Sequence, residues 1–502
     1  MVEEGGALAE PVSKPPAGAG FETLASLAPQ PAGAPAAPQP AGEVVACVDF
    51  GSTFTKAALV DVSTGRLVGT ASHRTTIDTD ILDGWDACRT RLEEVHPGAG
   101  AAPVLACSSA GGGLRIAVVG NEELVTAEAG RRVALSSGGR VVHVASGGLD
   151  PASLDRLRGS RPDVVLLVGG TDGGNSEVLV SCAVALADAA WQGPVVVAGN
   201  VDAREQVGSL LEGAGTPYVL ADNVVPQIGV LRPGSARAAI REMFVRHVIG
   251  GKHLSERADF TAMVRGATPD VVLTAVELLA RGLDEQRPGA GDVVVVDVGG
   301  ATTDVHSVVE VDPEDAGLSR EVVATVPATR TVEGDLGMRW SAVSTVEEGL
   351  AAGALPEERA EDLHRAAEVR RADPSYLPRD DHELWMDELI ASAAVSVAMR
   401  RHAGRQQVVF GPGGRVVERS GKDLREVDLL VGSGGLLRNS EEQLARRVLG
   451  TGTGDHVPGG WQLPRAPRVV VDRDYVLAPA GLLAAEHPQA AHALLKTLLA
   501  GA

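Results

Sequence analysis

The chain has 502 residues, is 44% hydrophobic, and carries a formal net charge of -21 with a pI near 5.0. That length exceeds what one core sustains and predicts two or three domains. The acidic balance removes any general electrostatic pull on nucleic acid or anionic lipid, so neither nucleic acid nor membrane is expected as a partner.

Residues 1–42 are rich in Ala, Pro and Gly, as in the run from Pro31 to Pro38, and cannot bury enough apolar surface to offset their ordering entropy. They are expected to form a disordered tail. Glu3 and Glu4 stand where a secretory signal carries basic charge, no apolar block follows them, and no apolar run approaches the roughly 20 residues a bilayer span needs. A cytoplasmic protein is the expectation. Cys47, Cys88, Cys107 and Cys182 form no C-x-x-C pair and read as buried hydrophobes in a reducing compartment.

Order begins at Val44. Val44–Phe50, Thr55–Val60 and Leu67–Ser72 read as consecutive strands, with Ser63-Thr64-Gly65 turning between the last two. Trp85 to Val95 reads as a helix, and Val104–Cys107 and Arg115–Val119 as strands. From about 140 to 230 strands alternate with helices, as in Val164–Val168, Ser176–Ala190 and Val195–Ala198, which predicts parallel β-α-β units inserted into the first half. Residues 235 to 286 read as mostly helical. The strand pattern restarts at Asp292, with Val322–Val326 as the third strand and a helix from about Met338. Residues 356–403 read as helices, the second over Asp387–Arg401. Val427–Val431 is a buried strand, followed by a helix from about Ser440, a strand at Arg468–Val471 and a short helix from about Pro479. The predicted organisation is a tail to 42, a first half over 43–290 and a second over 291–502.

Two stretches repeat each other. Asp49-Phe50-Gly51-Ser52-Thr53-Phe54-Thr55-Lys56 and Asp297-Val298-Gly299-Gly300-Ala301-Thr302-Thr303-Asp304 both read D-x-G-x-x-x-T plus a charged residue, 248 residues apart. Each lies between apolar runs, so each predicts a strand, a glycine turn and a second strand. Such an interval suits a duplicated domain with a cleft between the copies. Successive N–H groups in such turns make an anion nest. Gly51, Ser52, Thr53, Thr55 and Lys56, with Gly299, Gly300, Thr302, Thr303 and Asp304, are the candidate phosphate-binding set. Asp49 and Asp297 are the candidate catalytic carboxylates and the candidate magnesium-holding pair through water, since polyphosphate-bound Mg2+ keeps several waters that one or two carboxylates orient. Of these Asp297 is the first choice. A third element, Gly432-Ser433-Gly434-Gly435 after a buried strand, is the candidate adenosine site, its glycines letting a purine lie on the backbone. Asp304 also reads as a strand-end cap, Lys56 as a solvated strand lysine, and His306 as a strand residue. Glu333, Asp335 and Arg339 read as a helix entry. The glycine loops 108–113 and 169–175 read either as strand exits or as cleft loops in which Thr171 and Asp172 approach nucleotide or partner.

These elements resemble the phosphate and adenosine motifs of the actin-like ATPase superfamily. With Cys107-Ser108-Ser109-Ala110-Gly111-Gly112, Leu167 to Asn175, Asp297 to Ser307 and Thr331 to Arg339, the chain from about 44 to 490 is similar to the glutamate mutase accessory ATPases called GlmL or MutL. That resemblance implies an α/β fold of duplicated RNase H-like subdomains flanking a nucleotide cleft. It implies ATP and Mg2+ as cofactors, ATP hydrolysis, and a chaperone-like reactivating role toward the subunits of an adenosylcobalamin-dependent carbon-skeleton mutase. A small-molecule kinase uses the same fold, with a cleft aspartate as base. A dehydratase activator shares it but needs grouped cysteines for an iron–sulfur cluster. A nucleotide-dependent scaffold protein is the non-enzymatic alternative.

Overall fold

The computed structural model describes residues 43–310, 326–411, 414–455 and 458–500. Chain from Gly42 to Ala502 packs as one unit. β1 (Val44–Phe50), β2 (Phe54–Asp61) and β3 (Arg66–Arg74) form an antiparallel meander, and β4 (Val104–Ser108) joins β1 in parallel. An insertion follows. β5 (Leu114–Gly120), β6 (Gly139–Ser146), β7 (Val164–Leu167), β8 (Val195–Val197) and β9 (Tyr218–Leu220) make an all-parallel sheet in the order β6-β5-β7-β8-β9. The chain then returns through helices to β10 (Val264–Ala267), which closes the first sheet as β10-β4-β1-β2-β3.

After a small hairpin, β11 (Gly282–Asp284) and β12 (Arg287–Pro288), the second half repeats the plan. β13 (Val293–Val298), β14 (Thr303–Val308) and β15 (Ala328–Glu333) form the meander. A hairpin of β16 (Arg405–Gly411) and β17 (Gly414–Ser420) precedes β18 (Leu429–Ser433) and β19 (Arg468–Val471), and the sheet runs β15-β14-β13-β18-β19. Strand for strand the order and directions match the first sheet. This duplicated order is that of the actin-like ATPase fold. No helix among the described residues is long and apolar enough to cross a membrane.

Strand alternation sorts the core into layers. Ala46, Val48 and Phe50 pack outward with the helix Ile81–Val95, and Val294, Val296 and Val298 pack outward with the helix Asp381–His402. Val45 and Cys47 face inward, as do Val293 and Val295, into one core shared by both halves. Three helices fill it: Thr268–Arg281, Leu477–Leu483 and Pro488–Ala500. The first of these belongs to the first half yet packs on β13 and β14, while Leu477–Leu483 belongs to the second and packs on β1 and β4. They cross closely at Gly481, where a Cβ would lie 2.0 Å from the Val271 carbonyl oxygen.

Several sequence expectations shift. The insertion begins at Leu114, so Arg115–Val119 lies in the second strand of its sheet, between β6 and β7, rather than in the first sheet. The third strand of the second half is Ala328–Glu333, not Val322–Val326; residues 322–325 lie outside the described residues and Val326 precedes the strand. Ala328–Glu333 is an edge strand that carries Thr329, Arg330 and Thr331 in succession, so it does not read as an apolar run. The helix placed from Met338 begins at Ala342, and the one placed from Asp387 begins at Asp381, where Asp380 caps it by accepting the Glu383 N–H at 2.9 Å. β10 and the β16–β17 hairpin escaped notice because four polar-flanked residues and a charged hairpin carry little apolar pattern. All four cysteines are free and buried.

Candidate functional site

The two repeats fold into the same turn. The Gly51 N–H donates to the Phe54 carbonyl at 3.2 Å, and the Gly299 N–H to the Thr302 carbonyl at 2.9 Å. A Cβ on Gly51 would lie 2.7 Å from the Phe54 oxygen, and on Gly299 2.9 Å from the Thr302 oxygen, so both turns require glycine. Asp49 pairs in register with Lys56, and Asp297 with Asp304. All four therefore sit on the inner faces of their sheets, at the ends of β1, β2, β13 and β14 that border the turns.

The same alternation sends Thr55 and Thr303 outward. Both are fully buried, and a Cβ on Gly84 of the helix Ile81–Val95 would lie 3.2 Å from the Thr55 Oγ1. Neither hydroxyl has a hydrogen-bond partner. The expectation that these two hydroxyls face a phosphate is corrected: their side chains lie on the opposite face from the aspartates. Ser52 is exposed, and Thr53, Gly300 and Thr302 are partly so.

Asp49 is almost wholly buried and held from three sides. Its Oδ1 accepts from the Thr268 hydroxyl at 2.6 Å and from the Cys107 thiol at 3.5 Å, and its Oδ2 accepts from the Tyr475 hydroxyl at 2.5 Å. Burial, then the Asp49 charge, pushes the Cys107 thiol up, and burial with the Asp49 and Asp297 charges pushes the Tyr475 phenol well above its ordinary value, so both remain donors. Lys56 Nζ stands 3.9 Å from the Tyr475 ring centroid.

Asp297 is poised differently. Burial pushes its carboxyl up to about 6; Lys56 opposes this, Asp304 and Asp49 add to it, and a Ser433 hydrogen bond opposes it again. Three carboxylates and one lysine thus lie within electrostatic reach of each other. Asp304 is not a free ligand. Arg330 donates to its Oδ1 through Nε at 2.8 Å, while the Thr302 hydroxyl donates to its Oδ2 at 3.2 Å. Arg330 is 5% exposed and also donates to the Gly139 carbonyl of the insertion at 3.1 Å, joining insertion to second half.

The segment after β15 braces the second turn. Met338 and Arg339 donate their N–H groups to the Gly299 and Gly300 carbonyls at 3.0 and 2.8 Å, and the Ser341 hydroxyl donates to Ala301 at 2.6 Å. Glu333 and Asp335 both pair with Arg401. His306 is buried in its strand.

In the third element, Gly432 is buried, with a Cβ position 2.6 Å from Leu449 and 3.1 Å from Leu437, so it serves helix packing and not a ligand. Ser433 turns toward Asp297. Gly434, at φ 106, passes the Val298 carbonyl where a Cβ would be 2.2 Å away, and Gly435 has open space beside it. Of the four residues only Gly435 is exposed; Gly434 is buried against β13.

A profile of the MutL protein family matches residues 45–499. The chain belongs to the MutL family. Protein MutL of Clostridium tetanomorphum is 36% identical over 459 residues, which cover 90% of this chain and 98% of that protein. Among solved structures, nucleotide-free acetone carboxylase aligns over 88% of this chain and 70% of its own at 15% identity and TM-score 0.40. A glycerol dehydratase reactivase aligns over 89% of this chain and 100% of its own at 12% identity and TM-score 0.31. The strand order, rather than these similarities, identifies the fold.

In this MutL family member three site residues escaped the sequence reading: Thr268, Tyr475 and Arg330. Thr268-Pro269 marks a helix start, but nothing local ties it to Asp49, 219 positions away. In the 169–175 loop, which follows β7, Asn223 donates to the Gly170 carbonyl and to the Asp172 carboxylate, and Asn200 to the Gly174 carbonyl.

Proposed function

We propose that the chain binds and hydrolyses ATP and acts as a chaperone-type reactivating factor for an adenosylcobalamin-dependent carbon-skeleton mutase. The observation that carries the ATPase part is the pair of matched glycine turns with Asp49, Asp297 and Lys56 on facing inner surfaces. Membership of the MutL family supports the mutase as client. The N–H groups of Ser52 and Thr53, and of Gly300 to Thr302, would face the phosphates, and Gly435 the adenosine. Among the described residues no group of three or more His, Cys, Asp and Glu side chains is arranged to hold a metal. A divalent cation would therefore need phosphate and water ligands besides Asp297 and Asp49, which is how Mg2+ binds nucleotide. Burial, with the Asp304 and Asp49 charges added, raises the Asp297 carboxyl, and a nearby cation would relieve both. Bound Mg2+ supplies neutralising charge on the polyphosphate. Asp297, ionised above about pH 6, accepts a proton or hydrogen bond from the attacking water.

Because ATP would touch both halves, its hydrolysis would change how firmly they are tied. To act as a switch, ATP and ADP must differ by a few kcal/mol in preference for the closed form. The test is capture from native lysate on the immobilised protein with ATP and with ADP, alongside ATP hydrolysis by the purified chain. Co-elution of a cobalamin-dependent mutase subunit in one nucleotide state supports the reading. Hydrolysis stimulated by a sugar or polyol without any protein would favour the kinase instead.

A further inference from the structure

Tyr475 belongs to the second half, yet its hydroxyl is bonded to the buried aspartate of the first. It sits in a short, over-determined loop between β19 and the helix Leu477–Leu483. Asp472, fully buried, accepts the N–H groups of Val476 and Leu477 at 2.8 and 3.2 Å and so caps that helix. The turn leaves Tyr475 at φ 57, a left-handed backbone uncommon for an aromatic residue. The loop is locked to the glycine-rich element. Arg438 donates to the Arg473 carbonyl at 3.0 and 3.1 Å, and Arg473 donates back to the Arg438 and Ser440 carbonyls at 2.9 Å each. The Arg438 guanidinium carbon also lies 4.9 Å from the Tyr475 ring centroid, opposite in origin to Lys56 of the first half. A continuous set of contacts therefore runs from the helix Gly435–Asn439 through Arg438 and Tyr475 to Asp49.

We infer that Tyr475 is a positioning residue that fixes the Asp49 carboxylate from across the cleft and couples it to the adenosine side of the second half. The inference rests on the ATPase reading above. With Thr268 on Oδ1 and Tyr475 on Oδ2, the carboxylate plane is set by one hydroxyl from each half. Charge-assisted hydrogen bonds of this kind are strong and directional, so the carboxylate's aim depends on the halves keeping their relative placement. A movement that parts Tyr475 from Asp49 would leave Oδ2 without this donor while Thr268 and Cys107 still hold Oδ1, so the carboxylate's aim depends on the Tyr475 contact being kept.

The experiment uses the full chain as Tyr475→Phe, which keeps the ring between Lys56 and Arg438 and removes only the hydroxyl, with Thr268→Val as the second variant. Turnover is expected to fall about tenfold while KM for ATP moves less than about twofold, the signature of a group that acts on the transition state through another. Thr268→Ser, which keeps a hydroxyl, restores the rate that Thr268→Val loses. In an Asp49→Asn background, Tyr475→Phe should change single-turnover rates by less than about twofold, because its effect passes through that carboxylate. Equal losses in both backgrounds, an unchanged rate in Tyr475→Phe, or a rate increase of the kind a restraining latch would give, overturn the inference. A wild-type chain that does not hydrolyse ATP refutes the ATPase reading instead, and the two failures are told apart by the wild-type rate alone.

Discussion

Replacing Asp297 with asparagine should slow ATP turnover and, at the same time, make the nucleotide-free protein harder to unfold. The carboxyl is ordinarily ionised above 3.8 but is pushed up to about 6 in the fold. At 1.36 kcal/mol per pH unit, keeping it ionised at pH 8 costs the folded state up to about 3 kcal/mol. Part of the side chain reaches the cleft and loss of the charge forfeits its attraction to Lys56, so about 1–2 kcal/mol of gain is the reasonable expectation for Asp297→Asn. Unfolding entropy is about 2.1 cal/mol/K per residue, or roughly 1 kcal/mol/K for a unit of this size, which converts the gain to about 1–2 °C in Tm. The sign follows from the raised value. The folded carboxyl takes up its proton at higher pH than the unfolded one, so the wild type is penalised above about pH 6 and relieved as pH falls from 6 toward 3.8. Thermal melts of both proteins at pH 8, 6 and 4.5 measure this. The difference should be largest at pH 8 and shrink steadily below 6. An asparagine variant that melts lower at pH 8, or a gap that does not narrow with acid, refutes the placement of Asp297. Turnover should fall by roughly a hundredfold or more, as for loss of a principal transition-state contact.

Three further outcomes follow from the geometry. Gly51→Ala puts a Cβ against the Phe54 carbonyl and must open the first turn, so turnover should fall about tenfold to a hundredfold in a steady-state assay with little change in Tm. Arg330→Met leaves Asp304 without its guanidinium partner in a mostly buried setting, and urea unfolding should register a loss of about 3 kcal/mol; a loss below 1 kcal/mol would mean the pair is solvated. Gly434→Ala meets the Val298 carbonyl and needs a positive φ, so it should destabilise the fold by about 2 kcal/mol or more in the same assay, and an unchanged midpoint would show that the strand end yields freely.

The elements legible in the sequence were those whose burial pattern is local. The valine run of β13 is buried on both faces and cannot be mistaken, and the repeated D-x-G-x-x-x-T fixes two hairpins because a single glycine contact defines each. The two-residue period decided more than the motif did: it carries Asp49 and Lys56 inward but Thr55 outward, so not every polar residue of the motif shares one face. What the sequence withheld was long-range. Tyr475 reaches Asp49 across 426 positions, and Arg330 sits in a strand whose apolar content is too low to announce it. Gly432 looked like a ligand-facing glycine because close helix packing and close ligand approach ask for the same residue.

The exchange of helices between the two sheets has a consequence for anyone dissecting this protein. Each half borrows a lid from the other, so a cut near residue 290 would strip the helix at 477–483 from β1 and β4 and the helix at 268–281 from β13 and β14. Neither fragment would keep its inner surface dry. The halves are interlocked subassemblies, laced together where Gly481 of one crosses Val271 of the other so closely that no side chain fits between them.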